Sequence, residues 1–582
     1  MLVVRKRGTW LYIGLSAVLL VAAALRLCGL EWDGGIGAHP DERYVVGVAE
    51  GLRWPNCLNP FEVAPDFAYG HLPVYLLALA AGLARGVDPL LVGRALAAAF
   101  DVGTVVLTFA LGRRAYGERT GLLAAAFVAL MLLHVQQAHF YTADVLLTFF
   151  TLGALLFAVR LAERGRSRDA ALAGLWAGLA LGSKFSAALL ALPLGAAWAG
   201  LPGGAGARWR RALESGAAAL AAFTLTNPFA VLAFPTFWHN VAQQAIIARG
   251  ALDVPYTRQF HATWPYLYPI VQQLRWGMGW PLGLVAFGGL AYGVWRAVRE
   301  PPRRAEWVLL AWSVPVFAFT GALYARFPRY WLPLTPVLAV YAAHFGMRNA
   351  ECGVRNVDCG LQIADCGVPA GRSPLKRGVR HTGGIRRALC YGSALFLIYF
   401  PLIYSLLQSL ALVSMYHSPH PWVVASEWLY EHVPRGAVVA VEQWDHPLPL
   451  DASGYEVRVL PVFDEDGPQK WAAMEEALGE ADVVIIASQR GYGTLARWPA
   501  RYPLMAHYYR ALFEGRLGFE PVACFERYPR LGPLVLVDDP AAGLVFALPE
   551  SCRPTAPLVW HLGRLDESFV VYDHPLVVVW QR

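Results

Sequence analysis

Residues 9–30, TWLYIGLSAVLLVAAALRLCGL, follow Arg5, Lys6 and Arg7 and are apolar almost throughout. At 1.5 Å per residue, a run of about twenty residues crosses a hydrocarbon core of about 30 Å. The basic residues in front of it hold the start of the chain in the cytoplasm. A cleaved signal peptide is the competing reading, but the run is long for one and no clear small-x-small cleavage site precedes Glu31, so an uncleaved anchor is expected. Similar apolar blocks recur at 90–112, 119–138, 144–162, 169–182, 185–200, 212–234, 280–298, 306–323, 329–346 and 388–413. With the first block they predict a polytopic α-helical membrane protein of about eleven spans. The stretch 73–84 is also apolar, but at about twelve residues it is too short to span and is expected to lie along the outer surface.

Composition points the same way. Of 582 residues, 56% are apolar and 16% charged, and the mean hydropathy is +0.40. Soluble globular chains run about 25% charged, so the composition excludes a disordered chain and argues against an ordinary soluble enzyme. The net charge of +7 comes from 49 basic and 42 acidic side chains. Most of the basic ones sit in short loops between apolar blocks, which marks membrane topology rather than nucleic-acid affinity. The loops bearing Arg113, Arg114 and Arg119, Arg164, Arg166 and Arg168, Arg208, Arg210 and Arg211, and Arg299, Arg303 and Arg304 all fall on the cytoplasmic side of this path. An odd number of spans then carries the tail outside.

The expected organisation is a transmembrane domain over 1–414, with a first outer loop at 31–89 and a cytoplasmic insert at 347–387, followed by a soluble extracytoplasmic α/β domain over 415–582. The location implied is the inner (plasma) membrane. In the insert, Glu351-Cys352-Gly353-Val354, Asp358-Cys359-Gly360-Leu361 and Asp365-Cys366-Gly367-Val368 repeat with period seven. The glycines argue against a heptad helix and the spacing does not suit a zinc knuckle, so a loop without chemistry is expected. In the tail, 422–432 and 471–478 read as amphipathic helices, and 437–441, 483–487 and 576–580 as short strands. No glycine-rich phosphate loop follows these strands, so no nucleotide site is expected. Cys524 and Cys552 would pair if the tail faces an oxidising compartment.

His39-Pro40-Asp41-Glu42-Arg43-Tyr44 opens the first outer loop. Pro40 suits the first turn of a helix, whose apolar face would be Tyr44, Val45, Val48 and Leu52. The helix dipole alone favours acids at that N-terminus, by about 0.3–1 kcal/mol. The functional alternative is that the dipole and Arg43 keep a carboxylate ionised at the membrane edge, ready to accept a proton from a hydroxyl. Asp144 stands at the outer end of a membrane helix, where an acid is either an N-terminal helix residue or a functional one. Lys184 lies between two short apolar halves in Gly182-Ser183-Lys184-Phe185-Ser186. There it either snorkels to the interface or meets an anion, of which lipid phosphate is the most plentiful. Arg258, Arg275, Arg326 and Arg329 add cations on the same face, suited to bidentate phosphate recognition.

Taken in order, Asp41-Glu42 after the first span, His139-Phe140-Tyr141-x-x-Asp144, Gly182-Ser183-Lys184 and Arg329-Tyr330-x-Leu332-Pro333 resemble the GT-C superfamily of lipid-carrier-dependent glycosyltransferases. The resemblance is nearest to the glycosyltransferase family 39 type, that is, protein O-mannosyltransferases and aminoarabinose transferases, and covers 1–345 and the last span. It implies a sugar linked through phosphate to a polyprenol, a protein, lipid or glycan acceptor approaching from the outer side, and inversion at the anomeric carbon. Carried to the matching positions, it implies Asp41 as catalytic base, Glu42 and Asp144 as its neighbours, and Lys184 as a helper. Where relatives often carry an acidic-basic pair, Tyr69-Gly70-His71 stands here, so the donor phosphate falls to His71 or to an arginine, the candidates being Arg43, Arg258, Arg326 and Arg329. The tail segments Asp566-Glu567-Ser568 and Tyr572-Asp573-His574-Pro575 are similar to tails of uncharacterised bacterial members and imply no activity. No cofactor is obligatory on this reading, and a divalent cation bridging Asp41, Asp144 and the phosphate stays open.

Two alternatives come from other classes: a transporter or flippase of a lipid-linked or envelope substrate, and a non-catalytic envelope assembly protein. Transporters place ionisable groups at the midplane of broken helices and show internal repeats. Here the charges gather at the outer face, with no two-fold repeat of spans.

Overall fold

Six helices among the described residues are long and apolar enough to cross a membrane: Thr9–Leu27, Pro89–Tyr116, Ala143–Arg164, Trp280–Arg299, Arg304–Ala322 and Phe396–Met415. They belong to a computed structural model that describes residues 2–201, 204–358 and 383–582. The count of about eleven is not reproduced, because the other five expected spans are helical but short, interrupted or, in Ala205–Thr226 and Thr335–Asp358, too polar along their length. Block 119–138 divides into Glu118–Ala129 and Leu132–Gln137, 185–200 into a 3-10 turn Phe185–Leu190 and Ala191–Ala199, and 212–234 into Ala205–Thr226 and Pro228–Leu232. Block 169–182 is Ser167–Ser183, and 329–346 is a turn Pro328–Trp331 followed by Thr335–Asp358. Hydropathy registers the apolar residues but not the polar side chains, such as Asn227, that intercept backbone groups and end a helix. The short apolar stretch near 73–84 is the helix His71–Leu83, which is not among the six.

Ala143–Arg164 is the central span, with 78% of its apolar window buried, whereas Thr9–Leu27 is 17% buried and turns its surface outward. A buried polar chain ties several elements together. Arg26 Nε donates to Asp101 Oδ2 at 2.6 Å, His134 Nδ1 lies 2.7 Å from Asp101 Oδ1, and its Nε2 lies 3.0 Å from Thr335 Oγ1. Charged groups inside a membrane persist when paired in this way. At one end of the bundle the basic loops meet: Arg114 pairs with Glu163, Arg211 donates to Gly165 O, and Arg304 donates to Ala162 O. The Cys-Gly repeat begins within Thr335–Asp358, and its remainder lies outside the described residues.

The tail sits at the opposite end. Its strands are β1 (Val438–Glu442), β2 (Glu456–Leu460), β3 (Val483–Ile486), β4 (Glu520–Phe525), β5 (Arg530–Leu531), β6 (Leu534–Asp538), β7 (Leu558–Gly563) and β8 (Val577–Gln581). Five of them form a sheet in the order β2-β1-β3-β8-β4, in which β8 runs antiparallel to both neighbours, and β5-β6-β7 form a second sheet. The three strands read from the sequence are the adjacent β1, β3 and β8. Their fully buried Val, Ile and Trp side chains explain why these were the legible ones. Cys524 and Cys552 are disulfide-bonded, with a Cα–Cα distance of 5.2 Å.

The segment 566–574 sews the tail to the bundle. Asp566 accepts from Tyr268 at 2.7 Å, Glu567 N donates to Gln259 Oε1 at 3.0 Å, and Asp573 Oδ2 accepts from Gln136 and from Tyr416, both at 2.9 Å. Arg527 adds a donor to Trp32 O at 2.9 Å. All these groups but the half-buried Tyr268 are buried, so each bond among them replaces a solvation that the interface has removed.

Candidate functional site

The first loop delivers Asp41 through local geometry. Helix Pro40–Gly51 starts with a proline at its first position and is capped by His39, whose Nδ1 accepts from Glu42 N at 3.3 Å. Val45, Val46, Val48 and Ala49 form its buried face. Asp41 lies at the rim of that helix and Glu42 on its underside. Glu42 is fully buried against Arg94, which also grips Asp33: Arg94 Nη2 lies 2.8 Å from Glu42 Oε2 and 2.7 Å from Asp33 Oδ2. Burial pushes the Glu42 carboxyl up, and Arg94 only partly offsets this. Glu42 therefore does not face the cavity beside Asp41 but bolts the loop to helix Pro89–Tyr116.

The His-Phe-Tyr-x-x-Asp turn is a second clamp. His139 lies 2.9 Å from Cys28 O, Phe140 packs against Trp32 and His39, Tyr141 N donates to Glu42 Oε1 at 2.9 Å, and Tyr141 OH donates to Pro73 O at 2.7 Å. With its neighbours so held, Asp144 emerges in the first turn of Ala143–Arg164. Lys184 reaches it from the break after Ser183, its Nζ standing 2.7 and 2.9 Å from the two carboxylate oxygens. That break needs close backbone approach. Gly70 N donates to Ser183 O at 3.2 Å, and a Cβ on Gly70 would fall 1.9 Å from Gly182 O. No side chain fits there, so Tyr69 is carried next to Lys184.

Arg329 closes the group. Its Nη1 lies 2.7 Å from Asp41 Oδ2, and its Nε lies 4.0 Å from Asp144 Oδ2. Burial alone would push the Asp41 carboxyl up. The Arg329 guanidinium, aided by Lys184 and a hydrogen bond from Tyr69, more than offsets this and holds it below the ordinary carboxylate range. The structure thus alternates Asp41, Arg329, Asp144 and Lys184, two anions and two cations in contact.

These four residues line a cavity of about 780 Å³. Arg43 and Arg249 also line the cavity, and Tyr69 and Tyr330 join the four at its polar end. Away from it, one wall is apolar, supplied by Leu189, Val241, Ala245, Val316 and Phe319 from helices Phe234–Ala248 and Arg304–Ala322 and the turn Phe185–Leu190.

Of the phosphate-binding candidates, Arg43, Lys184 and Arg329 line the cavity, and His71, Arg258 and Arg326 do not. His71 is fully buried among Phe61, Phe67, Tyr75 and Phe229, and burial lowers its ring to about 4, which leaves it uncharged at neutral pH. Arg258 donates to Phe463 O at 2.9 Å and pairs with Asp253, bracing the tail. Arg326 donates to Thr263. Sequence position placed these side chains on a face but carried no sign of their direction. The far wall of the cavity was not foreseen, since it comes from the tail: Trp422, Trp444, Asp445, His446, Arg490 and Tyr572.

A family model described as dolichyl-phosphate-mannose-protein mannosyltransferase matches residues 71–232. No curated protein matches the chain. Among solved structures, the oligosaccharyltransferase AglB from the archaeon Archaeoglobus fulgidus, in complex with an inhibitory peptide and a dolichol-phosphate, is similar with a TM-score of 0.52 at 16% identity, over 86% of this chain and 72% of that one. ArnT from Cupriavidus metallidurans bound to undecaprenyl phosphate is similar with a TM-score of 0.43 at 17% identity, over 84% of this chain and 94% of that one. The arabinofuranosyltransferase AftD from Mycobacteria has a TM-score of 0.39 at 16% identity, over 98% and 40%. The resemblance to GT-C glycosyltransferases read from the motifs is borne out: the chain is a multi-pass membrane protein with a fold found among membrane glycosyltransferases.

Proposed function

We propose that this chain transfers a sugar from a polyprenyl-phosphate donor to an acceptor hydroxyl at the outer face of the membrane, with inversion at the anomeric carbon. The observation that carries the reading is the convergence of Asp41, Asp144, Lys184 and Arg329 in a cavity that also has an apolar wall, formed by Leu189, Val241, Ala245, Val316 and Phe319. A lipid phosphate is an anion attached to a long apolar chain, and the cavity offers a surface for each part. The matched family is described by such a donor, and the archaeal structure holds a dolichol-phosphate.

In this reading the donor phosphate draws Arg329 and Lys184 toward itself. Asp41 then loses the cation that had lowered its carboxyl and becomes a stronger base. It takes the proton from the acceptor hydroxyl. The hydroxyl oxygen bonds to the anomeric carbon, the bond from that carbon to the phosphate oxygen breaks on the opposite face, and polyprenyl phosphate leaves with the electron pair. Arg329 and Lys184 hold the charge that develops on it. Arg43 and Arg249, both exposed on the cavity wall, guide the anion in. A divalent cation would meet two carboxylates that already hold cationic partners, and no group of three or more His, Cys, Asp or Glu side chains suited to a metal occurs among the described residues. This residue set fits a metal poorly, and no step here uses one.

The disulfide Cys524–Cys552 supports a tail facing an oxidising compartment, and with it the outer location in the inner (plasma) membrane. A transporter is disfavoured because the tail lines the same cavity as these charges, whereas transporter sites lie between repeated halves of the membrane bundle. The test is to incubate the purified chain in lipid with radiolabelled polyprenyl-phosphate sugars and follow label leaving the lipid. Asp41→Asn should lower the rate by about 10²–10⁴, the range for a lost general base, while donor binding is kept. Transfer at the wild-type rate in that variant would remove Asp41 from the mechanism.

A further inference from the structure

The tail wall of the cavity has a chemistry of its own. After β1, Gln443 is pinned by its side chain, which donates to Asp464 Oδ1 at 3.0 Å and accepts from Phe463 N at 3.1 Å. The next residue, Trp444, has φ at +74°, the left-handed region that a bulky side chain rarely adopts, and its indole is 54% exposed. Strain of this kind persists only where the surroundings impose it, and it concentrates at binding sites. Arg490 contacts this turn: its Nη1 donates to Trp444 O at 3.3 Å and lies 3.6 Å from Asp445 Oδ1. Arg490 is 94% buried by the complement of its 6% exposure, and its Nε has no hydrogen-bond partner among the described residues, Glu567 Oε2 standing 3.7 Å away.

Resting on the transferase reading, we propose that this wall is the acceptor subsite and that the acceptor is a saccharide. A held-open indole offers a flat apolar face to the C–H side of a sugar ring. The adjoining carboxylate and guanidinium offer an acceptor and a donor to neighbouring hydroxyls. Asp445 and Arg490 balance in charge, so the wall selects a neutral polyhydroxyl rather than an ion. Across the cavity the donor phosphate occupies the Arg329–Lys184 side, which leaves the tail side to the incoming hydroxyl. Tyr572 connects the two, its ring 4.6 Å from His39 and 5.7 Å from the Arg490 guanidinium.

The experiment uses the full chain in lipid nanodiscs and saturation-transfer difference NMR with methyl α-mannoside, methyl β-galactoside and methyl α-arabinofuranoside, and a serine tripeptide as comparison. Undecaprenyl phosphate binding is measured on the same samples. The expected result is transfer to at least one glycoside and none to the peptide. Trp444→Ala should weaken glycoside binding roughly tenfold, Trp444→Phe should recover most of it, and Asp445→Asn should weaken it comparably, all with unchanged carrier binding. The glycoside signal should survive saturation of the chain with polyprenyl-phosphate mannose. Its loss under that condition would place the wall on the donor sugar and overturn the acceptor assignment. A glycoside signal indifferent to Trp444→Ala, or a peptide signal in its place, would also overturn the proposal. Absence of any glycoside signal while undecaprenyl phosphate still binds would sink the subsite and leave the transferase reading standing, whereas failure of the carrier itself to bind would sink the transferase reading.

Discussion

Replacing Arg329 with glutamine tests the electrostatics of the site at its centre. Arg329 Nη1 lies 2.7 Å from Asp41 Oδ2, and the two side chains are 13% and 24% exposed. With charge centres roughly 4 Å apart and an effective dielectric of about 20, the attraction is about 4 kcal/mol. At 1.36 kcal/mol per unit, its loss lifts the Asp41 carboxyl by up to about 3 units, less whatever Lys184 makes up. In the wild type that carboxyl lies below its ordinary 3.8. A base must be ionised to work, so wild-type kcat/KM, which reports the free enzyme, should stay flat through neutral pH and fall only as pH drops through that low value. In Arg329→Gln the acid limb should move up toward neutral pH. Donor KM should rise more than about tenfold as well, because a buried charge contact to the phosphate is gone. Arg329→Lys should keep the limb low while losing affinity, since it retains the charge but not the planar fork. The assay is the initial rate of label release from a polyprenyl-phosphate sugar across a pH series. An acid limb unmoved in Arg329→Gln, with only the overall rate reduced, would refute the coupling of Asp41 to Arg329.

Arg94→Met should destabilise the protein by about 3–5 kcal/mol, because it strands two buried carboxylates, whereas Glu42→Gln should cost less, since Asp33 still pairs with Arg94. Thermal unfolding in detergent gives the order, and equal losses would break the argument. Burial pushes the Glu442 carboxyl up to about 8 from 4.5, so the folded tail keeps a proton that the unfolded chain has already released. That contribution to stability is full below about pH 4.5 and is lost as pH rises to about 8. Glu442→Gln should therefore flatten the decline in unfolding temperature over this window, and an unchanged slope would count against it. Cysteines placed in the tail or the first loop should be labelled from outside intact cells, and those near Arg210 only after permeabilisation. Tail labelling confined to the cytoplasm would reverse the topology.

Asp41, Asp144, Lys184 and Arg329 were legible because a charge beside a long apolar block stands out against its background and is costly unless matched. The same reasoning misplaced Glu42 and His71. Neighbours in sequence on a helix point about 100° apart, so Asp41 can face a cavity while Glu42 is buried beneath it. Whether a histidine next to a proline-bearing helix meets solvent or four aromatic rings depends on elements far along the chain, here Phe229 among them. The sheet's central strands were visible as β-branched runs. The half-exposed β2 and the exposed β7 residues Leu558, Val559 and Trp560 lack that contrast. Which tail loop would roof the site was not visible at all, because docking through 566–574 is a matter of shape.

The late position of that docking segment has a consequence for biosynthesis. Asp41 leaves the ribosome more than five hundred residues ahead of Tyr572. At about 5–20 residues per second, that separation amounts to roughly half a minute to two minutes of translation. Throughout the interval the membrane helices insert and the acidic and basic side chains meet, while the cavity has no far wall. A nascent chain, or one cut short by premature termination, holds the Asp41, Asp144, Lys184 and Arg329 cluster proposed to bind the lipid carrier, but not the surface that completes the chamber. Completion of the site is therefore coupled to synthesis of the 566–574 segment. Ribosome-stalled intermediates arrested before residue 566 should sequester carrier without turning it over.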